Sequence, residues 1–153
     1  MVDEKIDKKV TKGYISAVGR RRAAVARVRL YSKAPDNLKF GEILLKKGDI
    51  VVNGRGIKEY FGGEVSRARY ELPFKITDSL NKFAVTVRVQ GGGTSSQLDA
   101  TVMALARAFS EMDTSFRALL KKQGLLTRDP RARERRKVGM GGKSRRKKQS
   151  PKR

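Results

Sequence analysis

FAVTVRVQGGGTSSQLDATVMALARAFSEM, residues 83–112, changes its periodicity once, and that change decides the fold. Before the glycines the period is two. Phe83, Val85, Val87 and Val89 alternate with Ala84, Thr86, Arg88 and Gln90, as in a strand with two unlike faces. After the glycines Leu98, Val102, Leu105, Phe109 and Met112 recur at spacings of three and four, the apolar stripe of a helix. Thr94, followed three residues on by Gln97, predicts a capping box with Thr94 as N-cap. A strand that turns at Gly91-Gly92-Gly93 into a long amphipathic helix is a sheet-and-helix layer.

Upstream, GRRRAAVARVRL (19–30) alternates in the same way. Ala24, Ala26, Val28 and Leu30 share one face, and Val25, Arg27 and Arg29 the other, which predicts a sheet with one buried and one cationic side. Tyr14 to Val18 is a shorter strand. In the polar stretch from Ser32 to Asp49, broken by Pro35 and Gly41, Phe40, Ile43, Leu44 and Leu45 offer one more. Ile50 to Val52 is a strand stopped by the turn pair Asn53-Gly54. Ile57, Tyr60 and Phe61 have the spacing of a short helix ended by Gly62-Gly63. Pro73 predicts the first turn of a helix through Leu80, with Phe74, Ile76 and Leu80 partly buried. Another helix starts near Asp113, uses Phe116, Leu119 and Leu120, and is capped by Gly124 with Leu125 folding back. Strands first, then strand–helix–helix, predict an α+β or two-layer α/β domain.

The charge is uneven. Of 153 residues 37 are Lys or Arg and 15 are Asp or Glu, a net of +22. The last 27 residues, Thr127 to Arg153, hold 13 of the cations and only two acids, Asp129 and Glu134. Their only aliphatic or Met side chains are Ala132, Val138 and Met140, too few to offset the entropy of ordering the segment. It is expected to be solvated and mobile alone, or ordered by a polyanion. Three parts follow: a polar extension (1–13), a body (14–126) with an inserted loop (32–49), and a basic tail (127–153). Cysteine and histidine are both absent, which removes disulfides, thiolate zinc sites and the commonest general base. No metal or cofactor is expected, and no enzyme. No apolar run approaches the roughly 20 residues that span a bilayer, and the first 13 residues lack an apolar signal region, so no membrane partner is expected and a cytoplasmic setting fits.

The candidate sites are cationic. Arg20, Arg21, Arg22, Arg27 and Arg29 fall within ten residues, and the forked guanidinium suits phosphate oxygens. Arg55 joins them as a candidate RNA contact. In TRDPRARERRK (127–137), Arg128, Arg131, Arg133, Arg135, Arg136 and Lys137 carry charge without an apolar stripe, as a backbone-tracking arm would. Gly91, Gly92, Gly93, Thr94, Ser95, Ser96 and Gln97 form either an anion-approach loop at a helix N-terminus or a tight turn built from small residues, and the two are compatible. Gly142-Lys143-Ser144 imitates the end of a P-loop, but the first glycine it would need is Lys137 and no strand precedes it. Tyr60 and Phe61 suit core packing better than base stacking.

GRRRAAVARVRL, DIVVNGRGIKEYF (49–61), VRVQGGGTSSQLDATVMALARAF (87–109), LLKKQGLLTRDPRARERRKVG (119–139) and the terminal Lys152-Arg153 together resemble bacterial-type small-subunit ribosomal protein nine, in order and at family spacing. The resemblance implies a four-stranded mixed sheet backed by helices with a left-handed βαβ crossover, like the second domain of ribosomal protein five, and a long extended tail. It implies a place in the head of the small subunit, on the 3′ major domain of its ribosomal RNA. The expected neighbours are the head proteins of families seven, ten and fourteen. Lys152 and Arg153 would touch the anticodon stem-loop of P-site tRNA, while Arg145, Arg146, Lys147 and Lys148 would line the path through ribosomal RNA; Lys143 is a further candidate ribosomal-RNA contact. At about 3.3 Å per residue the 27 tail residues reach up to roughly 90 Å. The setting implied is the cytoplasm, with the plastid stroma as the alternative. Ser96 stands where the family usually has glycine, and Pro151 where the final residues usually differ.

Overall fold

The structure, a computed structural model, describes residues 13–32, 39–40 and 43–134. Expectations for residues 1–12, for 33–38 and 41–42 of the inserted loop, and for 135–153 lie outside the described residues. These include Arg135, Arg136, Lys137, Lys143, Arg145, Arg146, Lys147, Lys148, Lys152 and Arg153.

The alternating segments pair as their patterns require. Strands β1 (Ile15–Arg21) and β2 (Ala24–Tyr31) form an antiparallel hairpin, and β2 pairs antiparallel with β7 (Ala84–Gln90). β5 (Ile50–Val52) lies parallel to β7 and antiparallel to the two-residue β6 (Arg55–Gly56), so the mixed sheet runs β1-β2-β7-β5-β6. The chain passes from β6 through helices α1 (Ile57–Tyr60) and α2 (Glu64–Ile76) to reach β7. Helix α3 (Thr94–Met112) lies against β1 and β2, and α2 and α4 (Thr114–Lys122) pack on α3.

The core lies between the sheet and α3. Ala24, Ala26, Val28, Leu30, Val85 and Val87 are buried there with Leu98, Ala104, Leu105 and Phe109. Phe109 meets Phe74 of α2 edge-on at 5.1 Å and Phe83 at 5.9 Å, joining three layers through one ring. The approach of β1 to α3 is set by small residues. A Cβ on Gly19 would fall on the carbonyl oxygen of Ala100 and lie 2.7 Å from the Ala104 nitrogen, so strand and helix meet backbone to backbone. Arg107 of α3 then donates to the Val18 carbonyl (2.7 Å), occupying an acceptor on the edge strand.

Several expectations need correction. The strand count rises from four to five because the Asn53-Gly54 turn, both residues at positive φ, folds β6 back on β5. The inserted loop forms a separate two-stranded sheet, β3 (Lys39–Phe40) with β4 (Ile43–Leu44). Pro73 does not begin a helix. It sits inside α2, near its C-terminal end, where the buried set Tyr70, Pro73 and Phe74 faces the core. That packing outweighs the hydrogen bond that proline cannot donate. Leu80 and Leu119 are exposed rather than packed. Thr94 is the first residue of α3 and Gly93 its N-cap, with no side-chain cap bond. Gln97 instead turns outward to the glycine loop. Ser96 is helical, a conformation that needs no glycine. At the other end Asp113 caps α4 by accepting from the Ser115 amide (2.8 Å), and Gly124 ends it, with Leu125 N–H returning to the Leu120 carbonyl.

Candidate nucleic-acid interface

The sheet face turned away from α3 is built by strand alternation. Register brings three rows together across β1, β2 and β7: Ser16–Arg29–Thr86, Val18–Arg27–Arg88 and Arg20–Val25–Gln90. Arg20, Arg27, Arg29 and Arg88 are all exposed. Arg27 and Arg88 stand directly opposite one another, an arrangement that costs stability when like charges share a cross-strand pair. Among the described residues no carboxylate forms an ion pair with any of these four. The alternation of β7 shows Arg88 beside Val87 and Val89, but only pairing with β2 makes it part of the cluster.

One end of this face is apolar. Tyr31, Leu45, Val51 and Ala84 are buried in a second small core with Tyr14, Phe40 and Ile43 packed on it. The β3–β4 hairpin therefore covers part of what strand alternation alone predicts to be wholly cationic. At the border the Arg29 guanidinium lies 4.8 Å from the Tyr14 ring centre, and that of Arg88 lies 5.6 Å from Phe40. Each cation thus lies over a ring of the small apolar core, an attraction that draws it toward that end of the face.

The glycine loop is a tight turn built for close packing. Gly91 and Gly92 have φ of +72° and +65°, and a Cβ on Gly91 would strike the Ala23 carbonyl. The loop is thus pressed on the β1–β2 turn, where Arg22 itself takes φ +51° and is exposed. Close packing explains the glycines. Residues Gly91 to Ser95 nevertheless remain exposed at the start of α3, whose first amides need partners from outside the helix. A chain of polar contacts fixes the loop from behind. Asn53 accepts from Val89 N–H (2.9 Å) and donates to its carbonyl (3.0 Å), extending the β5–β7 ladder with a side chain. Its amide also donates to the Tyr60 hydroxyl (3.3 Å). Tyr60 donates to Gln97 (3.0 Å), and Gln97 to the Gly91 carbonyl (3.0 Å). Tyr60 is half-buried with its hydroxyl in this chain, while Phe61 is a core residue.

A second cluster sits where the C-terminal segment leaves the body. Arg21, the last residue of β1, donates to Asp129 (2.9 Å) and to the Arg131 carbonyl (2.9 Å), and its Nε lies 3.8 Å from Asp99. Arg69 of α2 pairs with the other oxygen of Asp99 at 3.2 Å. Asp129 also accepts from the Arg131 side chain (2.7 Å) and amide (2.9 Å). These bonds, those from Arg131 first, hold the Asp129 carboxyl well below the usual carboxylate range, and Asp129 raises the Arg131 pKa in return. Glu71 is likewise lowered by Arg67 at 2.6 Å, with Lys75 at 3.2 Å. Residues 128–134 have no helix or strand, with Arg128, Arg131 and Arg133 exposed. Arg55 is exposed on β6, at the opposite edge of the sheet from β1.

The sequence profile of the ribosomal protein S9/S16 family matches residues 19–153. The chain is 42% identical over 128 residues to small ribosomal subunit protein uS9 of Chlorobium phaeobacteroides, covering 84% of this chain and 89% of the relative. It is 42% identical over 125 residues to uS9 of Anaeromyxobacter sp. (strain K), covering 82% and 86%. Against uS9 of Maridesulfovibrio salexigens identity is 38% over 133 residues, covering 87% and 92%.

Proposed function

Since the chain belongs to the ribosomal protein S9/S16 family, and is thus a structural constituent of the small ribosomal subunit and not an enzyme, we propose that it docks on small-subunit ribosomal RNA by its open sheet face and its cationic C-terminal segment. The observation that carries this is the exposed Arg20, Arg27, Arg29 and Arg88 cluster, where Arg27 and Arg88 face each other and, among the described residues, no carboxylate pairs with either. A fold keeps such a repulsive pair when an anionic partner relieves it, and packed phosphates do so by releasing their counterions. Contacts of this kind position the protein and carry little sequence information. Arg22 and the exposed start of α3 extend the surface toward the glycine loop. The setting is the head of the subunit, in the cytoplasm, beside head proteins of families seven, ten and fourteen. Lys152 and Arg153 contact the anticodon stem-loop of P-site tRNA, a reading supported by the family match, which runs through both residues, and by the cationic run that leads to them.

Binding of the purified chain to small-subunit ribosomal RNA across a salt series tests the docking face. The Arg27→Gln/Arg88→Gln chain is expected to lose about tenfold or more in affinity and about two units of salt slope. Unchanged affinity and slope would remove the sheet face from the interface. For the tail, small subunits reconstituted without Lys152 and Arg153 should assemble in normal yield yet hold P-site tRNA more weakly. Equal tRNA affinity would refute that contact.

A further inference from the structure

We propose that Asp129 is a positioning residue: it latches the root of the cationic segment to the body and fixes the direction in which that segment leaves. The segment's composition calls for repulsion from a positive body. The structure instead shows one carboxylate drawing two arginines together, one from β1 and one from the segment itself. The contacts are not equivalent. The Arg131 side chain is 82% exposed, so its pair with Asp129 alone would contribute little. The Arg21 side chain is only 14% exposed and is oriented from the far side by Asp99, which Arg69 holds in turn. Arg21 is therefore a fixed fork, with Asp129 docked on one prong and the Arg131 carbonyl on the other.

The backbone agrees with this arrangement. Gly124 reverses the chain after α4, Leu125 and Leu126 pack on the core, and Asp129 folds over Pro130 to accept from the Arg131 amide. The chain from Gly124 to Arg131 is thus tied at both ends. A segment that departs from a fixed root in one direction loses less conformational freedom on meeting RNA than one that swings from a free joint.

This inference rests on the RNA-binding reading of the segment, and it predicts the opposite of simple charge. Removing an acid from a polycation should raise its affinity for RNA. A latch predicts that Asp129→Asn, of the same size but uncharged, lowers it. The chain contains no cysteine, so Ala118→Cys with Ala132→Cys supplies two spin-label sites in the free full-length protein. The expected result is a narrow distance distribution in the parent and a broad one in Asp129→Asn and in Arg21→Lys, which keeps charge but loses the fork. Affinity of unlabelled Asp129→Asn for small-subunit ribosomal RNA should fall about threefold to tenfold, with the salt slope unchanged because no phosphate contact is lost. Distributions as narrow as the parent's in both variants would overturn the latch, and so would higher RNA affinity in Asp129→Asn. If the parent itself fails to bind this RNA, the RNA-binding reading fails, while the distance result still decides whether the root is latched.

Discussion

Gly19 and Arg21 are two residues apart on the same strand and face the same way, yet they join β1 to the rest of the molecule by opposite means. At Gly19 the strand meets α3 without any side chain between them. At Arg21 it meets the C-terminal root through a guanidinium shared between two carboxylates. The first junction is steric and dry, with no freedom to adjust. The second is polar and half open to water, and each of its bonds has a competitor in solvent or in phosphate. A strand that is rigid at one residue and exchangeable two residues later separates holding the fold from aiming the segment that leaves it.

If the contrast is sound, perturbing the steric junction should damage the whole molecule. Gly19→Ala places a methyl group on the Ala100 carbonyl, and helix backbone cannot yield as a side chain can. The expected cost is about 3 kcal/mol, at the upper end for overpacking, read as a lower urea midpoint with unchanged slope. A variant as stable as the parent would mean that strand and helix are less closely joined than they stand here. Asn53→Ala falls between the two extremes. It strips the buried Val89 of both side-chain partners and unties Tyr60 from the glycine loop. The expected loss is about 2 kcal/mol, with faster amide exchange at Val89. Loss of exchange protection without loss of stability would place Asn53 with the adjustable junctions.

The two junctions also differ in how far the sequence announces them. The alternation in β2 and β7 and the stripe of α3 report directly on burial, because a period of two or 3.6 is a local property of the chain. The cationic face follows from the same alternation, and Arg27 and Arg29 are visible in it. Arg88 becomes part of that face only through a strand pair more than fifty residues apart in the chain. Helix α2 is hidden because Val65 and Leu72 are exposed on it, so its residues 64–72 show no clean stripe, and a proline near its end reads as a start. The cap of α3 shifts by one residue because the Gly93 backbone can end the loop without a side chain. The root is the least legible. Asp129 among arginines looks like a minor dilution of charge until the fold brings Arg21 to it across 108 residues.

The smallest expected effect concerns pH, and it separates the junctions without any mutation. Asp129 accepts from the Arg131 side chain, from the Arg131 amide and from Arg21, and each of these favours its charged form. Its pKa in the folded chain therefore lies below the ordinary carboxylate value of about 3.9. A group with a depressed folded pKa contributes order that is complete above its unfolded value and is lost only as pH falls through the folded one. The chain has no histidine, so no side chain with an ordinary pKa titrates between pH 8 and pH 5. The spin-label distance from α4 to residue 132 should consequently stay narrow from pH 8 down to about pH 4 and broaden only in stronger acid. The backbone-to-backbone packing of β1 on α3 at Gly19 involves no ionisable side chain and should still be intact when that broadening begins, as circular dichroism on the same samples would report. Broadening that starts near neutrality would show that the carboxylate is not held as the geometry requires. Simultaneous loss of root order and helix signal would show that β1 joins its two neighbours by one means after all.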